Sequence, residues 1–132
     1  MPEELVAGRE FEMQREVTLA NTADNFGNPG VPVFATPALV GLLEETAIGC
    51  VAPALEDGAG TVGTLVNVQH LAASPIGLTI TSRARLTEVD GRRLVFEVEA
   101  SDGQDEVAKG THERFVVGSM ERFLERAQEK AR

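Results

Sequence analysis

The stretch Thr36-Pro37-Ala38-Leu39-Val40-Gly41-Leu42-Leu43-Glu44-Glu45-Thr46-Ala47-Ile48-Gly49-Cys50-Val51 decides how this chain folds. Thr36 is a good N-cap, Pro37 suits the first helical position, and Pro53 marks the end, so the run predicts a helix over 38–51. At about 100° per residue, Leu39, Val40, Leu43, Ala47, Cys50 and Val51 fill one broad apolar arc. A second, thinner side carries Ala38, Gly41, Glu45 and Gly49, where another backbone can come close. A helix that is apolar over most of its circumference has to be surrounded, and the rest of the chain must do it.

The residues C-terminal to this helix read as a run of strands. After the turn Asp57-Gly58-Ala59-Gly60, Thr61 to Leu71 puts Val66, Val68 and His70 on one face and Leu65, Asn67 and Gln69 on the other. Ala72-Ala73-Ser74-Pro75 breaks it. In the next strand, Leu78 to Val89, Leu78, Ile80, Ala84 and Leu86 alternate with Thr79, Thr81, Arg83 and Arg85. Asp90-Gly91 is a strong hairpin signal, Leu94, Phe96, Val98 and Ala100 make the return strand, and Glu106 to Val117 the last one. Ser119 caps a final helix with Met120, Phe123, Leu124 and Ala127 at helical spacing. Upstream, Arg9 to Leu19 alternates as a strand with one wet face. Ala20 to Ala35, rich in Asn, Gly and Pro, reads as a long loop of the kind that often forms a lid or binding loop.

The order strand, loop, helix, four-strand meander, short helix is α+β with an antiparallel sheet, in one domain spanning 1–132. A long twisted sheet wrapped around one apolar helix is the hot-dog arrangement. Such sheets pair edge to edge, so a homodimer is expected, with a tetramer the alternative. The balance of 12 Lys+Arg against 21 Asp+Glu, a net charge of −9, argues against a nucleic-acid or polybasic membrane-surface partner. The N-terminus has no apolar signal core and no run reaches the length of a membrane span. The lone Cys50 excludes an internal disulfide and fits the reducing cytoplasm.

Three groups could do chemistry. Glu44 sits at the border of the apolar arc, where burial would raise a carboxyl toward the working range of a general base; it could equally be tied into a structural network. His70 ends a strand, a good place for a catalytic group and also for an ordinary rim histidine. Thr36 is either a plain helix cap or a hydroxyl facing a site at the helix N-terminus, where the dipole favours negative charge. Thr36 and Glu44 lie eight residues apart, about 12 Å along a helix, so one site using both needs a bent helix start, an extended substrate or a second protomer. Arg83, Arg85, Arg92 and Arg93, with Lys109 and Arg114, form a basic cluster that either grips phosphates or pairs with Glu88, Glu97 and Glu99. No metal-ligand spacing, P-loop or dinucleotide fingerprint is present.

Several of these segments, in order, resemble the fluoroacetyl-CoA thioesterase-like group of hot-dog proteins. Val33 through Glu44 matches the central-helix motif. It is followed by Gly63-Thr64, Val68-Gln69-His70, Ala72-Ala73-Ser74-Pro75-Ile76-Gly77-Leu78-Thr79, Gly91-Arg92-Arg93-Leu94 and Gly110-Thr111-His112-Glu113-Arg114. The resemblance covers about residues 33 to 117. It implies hydrolysis of an acyl-CoA thioester by Thr36, Glu44 and His70, with Gly63 lining the substrate site and Arg114 contacting the ligand. Coenzyme A would be part of the substrate, with no metal or redox cofactor. The family's aromatic gate before the helix is here replaced by Gly27-Asn28-Pro29-Gly30-Val31-Pro32, with Phe26 and Phe34 at its margins. The acyl group implied is therefore an ordinary short one. A non-catalytic acyl-CoA or acyl-carrier binding module of the same fold is the alternative; a hot-dog dehydratase lacks an Asp near His70.

Overall fold

The structure is a computed structural model that describes residues 2–132. Its elements are β1 (Glu10–Glu16), α1 (Thr36–Val51), β2 (Gly60–His70), β3 (Thr79–Asp90), β4 (Arg93–Ser101), β5 (Glu106–Val117) and α2 (Met120–Glu129). All pairings are antiparallel, and the sheet order is β1-β3-β4-β5-β2, so the expected four-strand meander holds only for β3-β4-β5: β2 crosses to the far edge to pair with β5, and β1 takes the place beside β3. Period-two alternation explains the sheet's inner face. Ile80, Ser82, Ala84 and Leu86 of β3 and Leu94, Phe96, Val98 and Ala100 of β4 are buried. They close on Leu39, Leu42, Leu43, Thr46, Ala47, Cys50 and Val51 of α1. The sheet wraps the helix, which is the hot-dog architecture expected from the element order.

The helix corrects the sequence reading in three ways. Its N-cap is Ala35, with Thr36 and Pro37 already inside the first turn, and no side chain caps it. The buried arc includes Leu42 and Thr46, and Val40 is only half-buried. Thr46 enters the core because its hydroxyl is satisfied twice, by donating to the Leu42 carbonyl at 2.7 Å and by pairing with Ser82 Oγ at 2.7 Å. The thin side is used inside the chain: a Cβ built at Gly49 would stand 2.7 Å from Phe11 Cδ2 of β1. Thr36–Ala54 is also long and apolar enough to cross a membrane by length and composition alone, contrary to the expectation from sequence. Here its apolar residues form the protein core.

The segment read as a bare loop is more ordered than its composition suggests. Two 3₁₀ turns, Leu19–Asn21 and Ala23–Asn25, are followed by isolated bridges Thr22–Phe34 and Val33–Pro75. Phe34 is buried, while Phe26 and Leu19 are exposed. On the outer face, the basic cluster resolves into cross-strand rows of alternating sign. Glu12, Arg83, Glu99 and Lys109 lie in register across four strands, as do Glu10, Arg85, Glu97 and Thr111. Arg85 meets Glu97 at 2.7 Å, Arg83 meets Glu12 and Glu99, and Arg93 is shared by Glu88, Asp90 and Glu113. These three arginines are paired with carboxylates on the sheet face. Their exposure makes each pair a minor contribution to stability.

Candidate active site

Two groups of polar side chains flank α1. The first is at its N-terminus, where Thr36 Oγ1 and His70 Nδ1 lie 2.7 Å apart. Thr36 is the first residue of α1, and His70 is the last residue of β2. Pro37 contributes no N–H, and the first-turn amides have no partner within the helix, so this end favours developing negative charge. His70 Nε2 is enclosed with no partner in hydrogen-bonding geometry. Burial pushes the imidazole below its ordinary value, and the Ala72 backbone acts in the opposite sense. A shallow cavity of about 360 Å³ opens beside the pair, lined by Ala23, Asn28, Val31, Val33, Leu71 and Ala73 among others. Its walls mix aliphatic side chains and Phe34 with the polar Asn28, Thr36 and His70.

The second group lies two helical turns further on. Glu44 Oε2 accepts from Arg114 Nη1 at 3.1 Å, the arginine side chain being 5% exposed and the glutamate 37%. Arg114 also donates from Nε to Thr61 Oγ1 at 2.8 Å and from Nη2 to the Thr61 carbonyl at 3.0 Å. Its remaining Nη1 contact is His112 Nε2 at 3.3 Å. Four of the five guanidinium N–H groups are thus taken by the protein itself. Burial lowers the arginine's pKa, and the Glu44 charge and hydrogen bond oppose the shift. Gly63 faces this group at a point where the β2–β5 register slips between Gly63 and Leu65.

Gly63 is required by space. A Cβ there would stand 2.6 Å from Glu44 Oε2 and 3.2 Å from Arg114 Nη1. The carboxylate is the end of a flexible chain, so it is the atom that must yield. Gly63→Ala is expected to displace Glu44 from Arg114 at a stability cost of about 1 kcal/mol. A crystal structure of the variant with the 3.1 Å ion pair intact would contradict this.

The structure therefore brings Thr36 and His70 together, and separately brings Glu44, Gly63 and Arg114 together. The three groups expected to act on one atom do not all meet along one helix, as their eight-residue spacing foretold. His112, which the sequence reading left without a role, belongs to the second group. It is fully buried on β5, on the same face as Arg114. The strand's alternation could have indicated this, since two polar residues at consecutive inward positions, 112 and 114, have to satisfy each other or a partner. Among the described residues no group of three or more His, Cys, Asp or Glu side chains is placed to hold a metal ion.

Residues 17–120 match the model of the fluoroacetyl-CoA-specific thioesterase family. A fluoroacetyl-CoA thioesterase from Streptantibioticus cattleyicolor is 48% identical over 98 residues, covering 74% of this chain and 70% of its own. Among solved structures, a variant of the fluoroacetyl-CoA enzyme FlK in complex with acetyl-CoA superposes with a TM-score of 0.89 at 38% identity, over 97% of this chain and 100% of that one. A hot-dog-like protein from Thermanaerovibrio acidaminovorans gives 0.85 at 27% identity, over 94% and 91%. By sequence and by fold, this chain belongs to the fluoroacetyl-CoA-specific thioesterase family of hot-dog proteins, and with it to the thioester hydrolases.

Proposed function

We propose that this enzyme hydrolyses a small acyl-CoA to the free acid and coenzyme A, with Thr36, His70 and Glu44 as the catalytic groups. The 2.7 Å contact between Thr36 Oγ1 and His70 Nδ1 carries the reading, because it joins a hydroxyl to a base at a helix N-terminus. His70 takes a proton from the attacking oxygen and returns one to the departing thiolate of coenzyme A. The attacking oxygen belongs either to Thr36, giving an acyl-threonine ester that water then cleaves, or to a water held by the pair. Mass spectrometry of enzyme quenched in turnover separates the routes, since only the first adds an acyl mass to the chain. Backbone N–H groups near Gly63 would meet the negative charge on the carbonyl oxygen. Glu44 orients or activates water, and Arg114 holds it in place. The shallow cavity of about 360 Å³ beside Thr36 and His70 supports a short acyl chain. Coenzyme A enters as substrate, and these steps use no metal or redox cofactor.

We further propose a homodimer in the cytoplasm, with Glu44 of one subunit serving the Thr36–His70 pair of the other. The separation of the two groups along α1 supports this, as do the exposed Leu65 and Val66 on edge strand β2. Mixed dimers test it. Chains carrying His70→Ala and chains carrying Glu44→Gln, each inactive alone, are expected to regain activity when co-refolded. A site shared between subunits leaves one intact centre in each mixed dimer, or about a quarter of wild-type activity overall for random pairing. A site built within one subunit regains nothing. Release of free thiol from acetyl-CoA and longer acyl-CoAs tests the activity itself, and tight binding without release would favour a carrier module instead.

The pH dependence follows from His70. Its buried imidazole loses its proton more readily than usual, so the base form persists to lower pH. The acidic limb of kcat/KM is expected below pH 6.5, the ordinary imidazole value, when profiled from acid to neutral. Stability has the same sign. Below that pH the unfolded chain binds the proton first, so the contribution is full above it and is lost as the pH falls through the folded-state value.

A further inference from the structure

His112 makes three contacts that together leave it no freedom. Its Nδ1 is 2.8 Å from the Leu65 carbonyl oxygen, its Nε2 is 3.3 Å from Arg114 Nη1, and its ring stacks on Phe96 with centroids 6.0 Å apart. A carbonyl only accepts and a guanidinium only donates, so the tautomer is determined by the partners. Nδ1 carries the proton and Nε2 offers its lone pair to Arg114. Leu65 is the first paired residue after the β2 register slip, so the irregularity that leaves Gly63 beside Glu44 also adjoins the carbonyl that accepts from His112. The charged groups around the ring are Arg114 on its own strand, Glu113 beside it and Glu44 on α1. Burial acts most strongly and lowers the imidazole's pKa. The Leu65 hydrogen bond opposes this, Arg114 adds to it, and the two carboxylates oppose it.

We propose that His112 is a positioning residue for the hydrolysis. As a neutral acceptor it fixes the Arg114 guanidinium, and the guanidinium fixes the Glu44 carboxylate. The chain of contacts runs from the Leu65 carbonyl through His112 and Arg114 to Glu44, and its far end is the group that faces the substrate. The proposal rests on the reading of Glu44 as a catalytic group. An ordinary buried histidine needs its two nitrogens satisfied by any donor and acceptor. Here one of the partners is the guanidinium that holds the one acid of the site. A protonated His112 would turn Nε2 into a donor facing another donor, and the Arg114 contact would be lost.

The test uses His112→Phe, which keeps the stacking on Phe96 but removes both polar contacts, and His112→Gln, whose side-chain oxygen can accept from Arg114. His112→Phe is expected to lower kcat for acetyl-CoA hydrolysis about ten- to hundredfold while KM stays within a few-fold, and His112→Gln to recover most of the loss. In a Glu44→Gln background His112→Phe is expected to cost nothing further, because its effect passes through Glu44. Side-chain nitrogen NMR gives a readout apart from activity: a neutral, Nδ1-protonated His112 at neutral pH, and an Arg114 guanidinium signal that loses protection from exchange in His112→Phe. An unchanged kcat, or an equal loss with and without Glu44, overturns the proposal while leaving Glu44 in place. Should Glu44→Gln itself turn over normally, the catalytic reading of Glu44 fails and the positioning role fails with it. If His112→Phe does not fold, His112→Gln and the NMR tautomer of the wild-type protein still decide: an Nε2-protonated or charged ring is incompatible with the proposal.

Discussion

Replacing His70 by alanine is expected to reduce kcat for acyl-CoA hydrolysis by about two to four orders of magnitude, the range spanned by a positioned acid–base group. Fold and thermal stability should change little, since the ring is only partly buried and its one side-chain hydrogen bond, to the exposed Thr36, is lost without leaving a buried group unpaired. Thr36→Ala should produce a loss of similar order, because the hydroxyl and the imidazole share one 2.7 Å contact. The double variant should then be barely worse than either single one, since groups that act as a unit are not additive when removed. Thiol release measured for the two single variants and the double variant decides it. Losses that multiply in the double variant would mean that the contact has no part in turnover.

The second large effect is structural. Gly110 of β5 lies against β2, where a Cβ would stand 2.6 Å from the Val68 Cα and closer still to the Asn67 carbonyl oxygen. These are backbone atoms within a paired ladder, so they cannot swing aside as a side chain can. Gly110→Ala is expected to cost about 3 kcal/mol, the upper end for overpacking. For a domain of this size that corresponds to a fall in Tm of about 10 °C. Because β2 carries Gly63 at one end and His70 at the other, prising it from β5 disturbs both halves of the site, and turnover should fall with stability. A Tm within 2 or 3 °C of wild type, about 1 kcal/mol or less, would show that the strands can part without penalty. By contrast, Gly63→Ala presses on a side chain alone and should leave the fold standing.

The strands and the central helix were legible because their signals are local. Alternation of Leu94, Phe96, Val98 and Ala100 specifies a buried face whatever lies opposite, and Asp90-Gly91 specifies the hairpin that precedes it. The helix cap was misplaced because Thr36 satisfies the rule for an N-cap while its hydroxyl is engaged by His70, 34 residues away. A long-range partner of that kind leaves no trace in a local pattern. The arginines illustrate the opposite case. Arg83, Arg85 and Arg93 look alike in sequence to Arg114, yet three lie on the wet face among glutamates and one is buried. Counting alternate positions from Ala108 through Gly110 and His112 would have put Arg114 inside. The partnership of Glu44 with Arg114 depends on the register between α1 and β5, which no spacing within either element encodes.

The two margins of the sheet differ in a way that limits how it can grow. β1 is short and carries Glu10, Glu12 and Glu16 against the single Arg15, an acidic excess that disfavours a second copy of the same strand laid along it. β2 is longer and presents Leu65 and Val66 to water, with an irregularity that interrupts its free row of amides and carbonyls near Gly63. A molecule sticky on both margins would add copies head to tail into a fibre. Were two copies to meet through β2, as proposed above, the pair would carry β1 at both outer margins, and its acidic excess would disfavour further addition there.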